Sequence, residues 1–485
     1  MMLLNGNCLN CNMLHQIALG ERVEISQEVI SNMERNSQTA IDSRGILEGK
    51  RRWLMGQKKL PALQEYNNDL IKDFILGHCA GVGEELDPIL VRAAMAARAN
   101  VLAAGFSGAR PIAVQKILEM LNKNIIPKVP SQGSVGAAGD LAPMAHIARA
   151  LCGYSKQIYL QEPLDPTPKE ALALINGVSL SAGISAVVVV RAKRLLHAAV
   201  VAAGLTMEVV KANSQCIDEK VLSLRGHPDV EPIGAALRSI LRDSKRVHPQ
   251  QRPDAFSLRC GPSVMGAIRR TFLFVEEEVN HELNGTSDNP LHIDGEWFEA
   301  GHFHGASIAM AMDHLKTACA QLATLSERRI FRMTHGKLSQ ELPSFLVKGT
   351  GLNSGFMIAQ YTAAALASEI KGLAHPASVD SIPTVQHHED HVSMAPISAR
   401  MALQSLECLA DIVAIEILLG AQALDLRFRV DGYSPPKVLQ KLHMEIRQHV
   451  DFWEDDEVLH PAISALSRLV RDGEIGKICP LEELF

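Results

Sequence analysis

Apolar residues recur at helical spacing over most of this chain. In residues 70–79 and 88–104 they return every three or four positions, which predicts helices. Ile25-Ser26-Gln27-Glu28 reads as a helix start with Ser26 as its N-cap, inside a region (about 12–50) of short helices and turns. Beyond about residue 175 the pattern changes. Residues 179–214, 307–330 and 354–372 are long runs with few breakers, apolar most of the way round. Such helices belong at the centre of a bundle or an oligomer core. Two segments break the pattern. Residues 50–61 are basic and punctuated by Gly and Pro, which predicts a loop. Residues 129–140 are dominated by small side chains and predict a tight loop running into a helix that begins near Leu141. There is no short-period repeat and no βαβ alternation. The prediction is a mainly α fold, with a loop-rich N-terminal domain (1–195) and a bundle of long central helices with C-terminal helices (196–485).

Composition narrows this picture. The 485 residues have room for two or three domains or one large helical body. Hydrophobic residues at 47% and charged residues at 21% are normal for a soluble globular protein, and aromatics at only 4% favour helices over β-sandwiches. The net charge of -6, without a long Lys/Arg run, argues against a nucleic-acid partner. The nine cysteines are mostly scattered; Cys8 and Cys11 have a zinc-like spacing with no second pair to follow, which fits free thiols in a reducing compartment. The most apolar stretch, 180–190, ends at Arg191 and is too short to span a bilayer. The expectation is a cytoplasmic protein with no membrane partner.

The loop at Gly133-Ser134-Val135-Gly136-Ala137-Ala138-Gly139-Asp140-Leu141-Ala142-Pro143 resembles the prosthetic-group loop of the aromatic amino acid ammonia-lyases and aminomutases. Further segments are similar to the same family: Ala173–Gly177 (A-L-I-N-G), Ser257-Leu258-Arg259-Cys260, Ser287-Asp288-Asn289-Pro290, Ser326-Glu327-Arg328-Arg329, Asn353–Gln360 (N-S-G-F-M-I-A-Q), Ser378–Thr384 (S-V-D-S-I-P-T) and Glu389–Met394 (E-D-H-V-S-M). They occur in the family's order and at roughly its spacing, over about residues 66–425, with histidine ammonia-lyase the nearest flavour. The resemblance implies a mostly α fold and a homotetramer whose active sites are each built from more than one subunit.

It also implies a prosthetic group, methylideneimidazolone, made from an Ala-Ser-Gly tripeptide. The glycine nitrogen attacks the alanine carbonyl, and the serine side chain loses its hydroxyl to leave an exocyclic methylene. Here the tripeptide is Ala137-Ala138-Gly139, and an alanine methyl has no leaving group. Ser134 matches a different family serine. On this basis we expect no methylideneimidazolone and no cofactor. Other family positions differ as well. A family tyrosine is Phe256, a prosthetic-group asparagine is His302, and the family's Asn-Gln-Glu-Asp-His reads His387-His388-Glu389-Asp390-His391. The catalytic-tyrosine loop, aligned near Glu48-Gly49, carries no tyrosine and instead holds Lys50, Arg51, Arg52, Lys58 and Lys59, whose readings are a lid for an anionic substrate or a solvated loop. An engineered serine-to-alanine change would explain residue 138 alone.

The resemblance places Arg259 as a carboxylate anchor, since a planar guanidinium grips a carboxylate bidentately. It places Asn176, His78 and Cys79 as substrate-binding residues. Glu389, His302, His387 and His388 are the expected catalytic acids and bases, because imidazole titrates near neutral pH. A metal reading uses His302, His387 and His391, with His387 and His391 four apart on one side if that segment is helical; in a third reading the histidines only fill space. His304 and His391 match family histidines and read as structural. The expected function is an acid/base lyase or cyclase on a small carboxylate-bearing amino-acid derivative. The alternatives are a family member that binds a ligand or supports a partner enzyme without catalysis, and an inactive ammonia-lyase.

Overall fold

The computed structural model describes residues 1–39, 68–155, 160–482 and 484–485. Helices dominate, and the chain divides into two compact units. The first holds Met1–Val190, Val275–Asp313 and Pro376–Arg400; the second holds Arg191–Phe274, His314–His375 and Met401–Phe485. This is not a single cut at 195/196, since the chain returns to the first unit twice. The physical reason is helix length. Ser179–Val209, Gly261–Asn284, Ala306–Thr334 and Ala395–Asp431 each run through a unit boundary without a break. At 1.5 Å per residue a helix such as Ala395–Asp431 is roughly 55 Å long, more than one small domain needs.

In the first unit, the Pro88–Ala103 helix is the centre. Asp87 caps it, accepting from the Ile89 amide at 2.8 Å, and Pro88 sits at its first turn, where a missing N–H costs nothing. Every residue from Leu90 to Ala103 is buried, with Cys11–Ala18 and Pro111–Asn122 packed against it. Helix Gln27–Thr39 follows Ser26, whose Oγ accepts from the Val29 amide at 3.3 Å. The expected helix at 70–79 is Asn68–His78. Among the described residues, three two-stranded sheets edge this unit: Met2–Leu4 parallel to Val23–Ile25, Val82–Glu85 antiparallel to Pro130–Gln132, and Leu291–Ile293 antiparallel to Glu296–Phe298.

The second unit is locked around buried charge. Glu416, wholly buried, accepts from both Arg329 nitrogens facing it, from Thr206 Oγ1 at 2.7 Å and from Ser326 Oγ at 2.6 Å. Arg427 donates to the carbonyls of Val209, Ser339 and Gln340, satisfying helix and loop ends that would otherwise be orphaned. Among the described residues, no helix is long and apolar enough to cross a membrane.

Candidate functional site

The tripeptide loop lies in the first unit and is built from backbone. Gly139 and Gly177 form a parallel bridge, with φ of +81° and +101°. The Asp140 amide donates to the Gly177 carbonyl at 2.8 Å, and the Gly177 amide donates to the Ala138 carbonyl at 3.3 Å. A Cβ on Gly139 would collide with the Gly177 backbone, and one on Gly177 with the Ser287 carbonyl. Both positions therefore need glycine for space as well as for φ. Ser134 Oγ donates to the Gly139 carbonyl at 3.3 Å and accepts from the Gly136 amide at 3.2 Å. Ser393 Oγ donates to the Gly136 carbonyl at 2.9 Å, and the Met394 amide donates to Val135 at 2.8 Å. Ala137, Val392 and Met394 pack together beside the loop.

Beneath the loop is a set of buried charges. Asp140 is fully buried and accepts from the Ser181 amide at 2.7 Å and from Ser181 Oγ at 2.9 Å, tying the loop to the start of Ser179–Val209. Burial pushes its carboxyl up to about 6, against the pull of Ser181, Leu180 and Arg98. Burial, and then the charge of Asp140, push Glu282 up to about 7. Arg98 is buried and donates to the carbonyls of Asn176 and Ser287, and Lys169 meets Asp288 at 2.8 Å with both side chains buried. Asn176 donates from Nδ2 to the Asn289 carbonyl at 3.2 Å, while its buried Oδ1 has no partner. An amide with one half tied and the other half unsatisfied is held in place ready for a further donor.

The histidines do not all gather. His302, His387 and His388 are exposed. His304 and His391 form a pair: Nε2 and Nδ1 are 3.2 Å apart and the rings stack at 5.3 Å between centroids. Burial, and then the neighbouring His391, hold His304 below the usual imidazole range. Glu389 accepts from Thr384 Oγ1 at 2.6 Å, across a bridge in which the Thr384 amide donates to the Glu389 carbonyl at 3.0 Å. Between them, Val385, Gln386 and His387 have φ of +48°, +53° and +68°. This is a left-handed turn, so the α-helical spacing behind the His387/His391 metal reading does not exist. Among the described residues, no group of three or more His, Cys, Asp or Glu is placed to hold a metal ion.

His78 Nδ1 lies 2.7 Å from the Phe74 carbonyl and its ring packs on Phe74. Cys79 donates to the Ile75 carbonyl at 3.4 Å, and burial raises its thiol against the pull of Arg149. Both are thus tied to the end of Asn68–His78. In the second unit, Arg259 is exposed with its guanidinium 4.8 Å from the centre of the Phe256 ring. The basic loop at 50–59 and the tyrosine-loop alignment near Glu48-Gly49 lie outside the described residues. Sequence reasoning took His304 and His391 as structural and missed that they pair, because nothing in the chain announces contact between residues so far apart.

With this geometry in view, the likenesses to known proteins are informative. The family model described as aromatic amino acid lyase matches residues 9–448. The histidine ammonia-lyase of Caldanaerobacter subterraneus subsp. tengcongensis is 38% identical over 441 residues, covering 87% of this chain and 86% of that protein. The crystal structure of histidine ammonia-lyase from Trypanosoma cruzi superposes with a TM-score of 0.87 at 33% identity, covering 99% of this chain and 94% of that one. Tyrosine aminomutase from Streptomyces globisporus gives 0.88 at 31% identity, with 98% of each chain covered. These likenesses bear out the mainly α, ammonia-lyase-like fold. They also correct the expectation of no cofactor: histidine ammonia-lyases are the enzymes with which the resemblance brought methylideneimidazolone, so a likeness this extensive counts against a protein that has none. The backbone cradle for such a group is present in Gly139, Gly177 and Ser134. Residue 138 itself does not fit, because its methyl has nothing to eliminate, and no chemical step is assigned to the group.

Proposed function

Because the chain belongs to the aromatic amino acid lyase family, we propose that it is an acid/base lyase or cyclase acting on a small amino-acid derivative that carries a carboxylate. The observation that carries the reading is the His304–His391 contact at 3.2 Å. One imidazole of such a pair must donate while the other accepts, and two adjacent charged rings repel. A proton shared between two such rings can be passed on, which is what removing a proton from carbon and returning one to a leaving group requires. Glu389 is the base whose position Thr384 fixes; His302, His387 and His388 are the further proton carriers. Asn176, with its unsatisfied Oδ1, His78 and Cys79 are the substrate-binding residues on the first unit. Arg259, which the family resemblance makes a carboxylate anchor, has its guanidinium 4.8 Å from the centre of the Phe256 ring, and its N–H groups can make two parallel bonds to a carboxylate.

The same reading makes the protein a homotetramer in the cytosol. Its support is the Met357–Leu373 helix. That helix buries only the small or aliphatic row Ala359, Ala363, Ala367 and Ile370, and leaves Ile358 and Tyr361 51% and 63% exposed. A helix apolar on both sides wants a second partner.

The test is turnover of L-histidine and related amino acids, followed as ammonia released, in the natural chain and in Glu389→Gln, His391→Gln and Arg259→Lys. The two proton-carrier variants are expected to lose about 10²–10⁴ in kcat, and Arg259→Lys to raise KM. Turnover that survives both proton-carrier changes would overturn the reading. Ligand-induced thermal protection without turnover would support the non-catalytic alternative, which Ala138 favours.

A further inference from the structure

A group of basic side chains in the first unit takes no part in the proposed chemistry. The first unit holds a cavity of about 130 Å³ whose polar lining is Lys128, His146, Arg149 and Ser155, with Ile126 and Ala150 among its apolar wall. The local sequence explains the gathering. His146, Arg149 and Ala150 are three and four positions apart on the Leu141–Leu151 helix, so they share a face. Lys128 precedes the strand Pro130–Gln132 and comes to the same space.

Among the described residues, no carboxylate lines this cavity. Lys128 meets Glu85 at 3.0 Å, but that pair is open to water at 64% and 55% exposure and is weakly held. The Arg149 guanidinium has no hydrogen bond or ion pair among the described residues, although the residue is half-buried. His146 Nε2 is wholly buried, near Gly81, and lies out of reach of the cavity's contents. A guanidinium and an ammonium whose one partner is an exposed carboxylate, brought to one small space, form a site suited to an anion. At roughly 30 Å³ per water the cavity has the room of about four waters. That admits a phosphate-sized oxyanion and excludes an aromatic amino acid or a nucleotide.

We propose that this cavity is a binding site for a small phosphate-type oxyanion, held by Arg149 and Lys128. The guanidinium edge of Arg149 supplies paired donors to two oxygens, and Lys128 adds a mobile charge at the rim. The site is separate from the proton carriers assigned above, and it stands whether or not that assignment does.

The experiment is calorimetric titration of the full chain with inorganic phosphate, at ionic strength held constant with chloride so that general screening does not change. One saturable site per chain is expected, weakened at least tenfold by Arg149→Gln and, separately, by Lys128→Gln. Lys128 is exposed, so its variant keeps its fold. Arg225→Gln, an exposed cation on the second unit, is expected to bind as the natural chain does. Absence of saturable binding, an unchanged affinity in both cavity variants, or an equal loss in Arg225→Gln would each overturn the proposal.

Discussion

Asp140→Asn is expected to stabilise this protein, and to do so more at pH 8 than at pH 5. Asp140 is fully buried, and its carboxyl titrates near 6 in the fold against 3.8 when unfolded. Between those values the folded state holds the proton more tightly. The stability this group contributes is therefore complete below the unfolded value, falls as pH rises to about 6, and then stays low. At about 1.4 kcal/mol per pH unit the gap amounts to roughly 3 kcal/mol per chain at pH 8, and about half of that at pH 5. Asparagine mimics the protonated acid in shape. Its Oδ1 accepts from the Ser181 amide, and its Nδ2 donates to Ser181 Oγ, so both existing contacts have a counterpart. Glu282, pushed up in part by the charge of Asp140, relaxes as well. Arg98 loses one attractive charge, which trims the gain, but Asp288 and the carbonyls of Asn176 and Ser287 remain to it. The assay is the urea midpoint of the two proteins at pH 5 and pH 8. If the advantage of the asparagine fails to grow with pH, or the variant is the weaker protein at pH 8, burial is not what governs Asp140.

Three more outcomes follow from the same geometry. Gly177→Ala should cost more than Gly226→Ala in a thermal melt: both have positive φ, worth ~1–2 kcal/mol, but only at Gly177 does the new methyl meet backbone. Equal losses would mean that the close approach to Ser287 is not tight. Glu416→Gln should destabilise by ~3–5 kcal/mol in urea, because it leaves buried Arg329 without its counter-charge; a near-neutral result would show water reaching that pair. Ala138→Ser should lose two waters by intact mass, since the backbone that positions Gly139 is already in place; a mass matching the uncyclised chain would show that the cradle alone does not drive ring closure.

How much of this could be read from the chain depends on the range of the cause. Helices were legible because their signal is local: the expected runs at 88–104, 307–330 and 354–372 correspond to Pro88–Ala103, Ala306–Thr334 and Met357–Leu373. The run expected to reach 214 stops at Val209, and Lys211 has turned left-handed at φ +53°. The division into units was not legible, because four of its five boundaries fall inside unbroken helices that carry no Gly/Pro punctuation there, and the fifth, at Pro376, looks like any loop. The left-handed turn at 385–387 was not legible either. It starts on Val385, a β-branched residue that locally resists such a conformation, so only surrounding structure can impose it.

The candidate site divides along the same line. The loop at 133–139 announced itself because close backbone approach demands glycine, and glycine is visible in a sequence. Gly139 and Gly177 meet those demands through contacts that involve no side-chain oxygen of residue 138. The cradle and the hydroxyl are thus separate requirements, and a chain can keep the first with alanine in the second. Pairing is different. His304 and His391 look like any other histidines until the fold sets them 3.2 Å apart. Residue type marks where chemistry could occur, but the distance between two rings decides which of them can share a proton. A reading of the active centre therefore weighs His304 and His391 above the histidines that first drew attention.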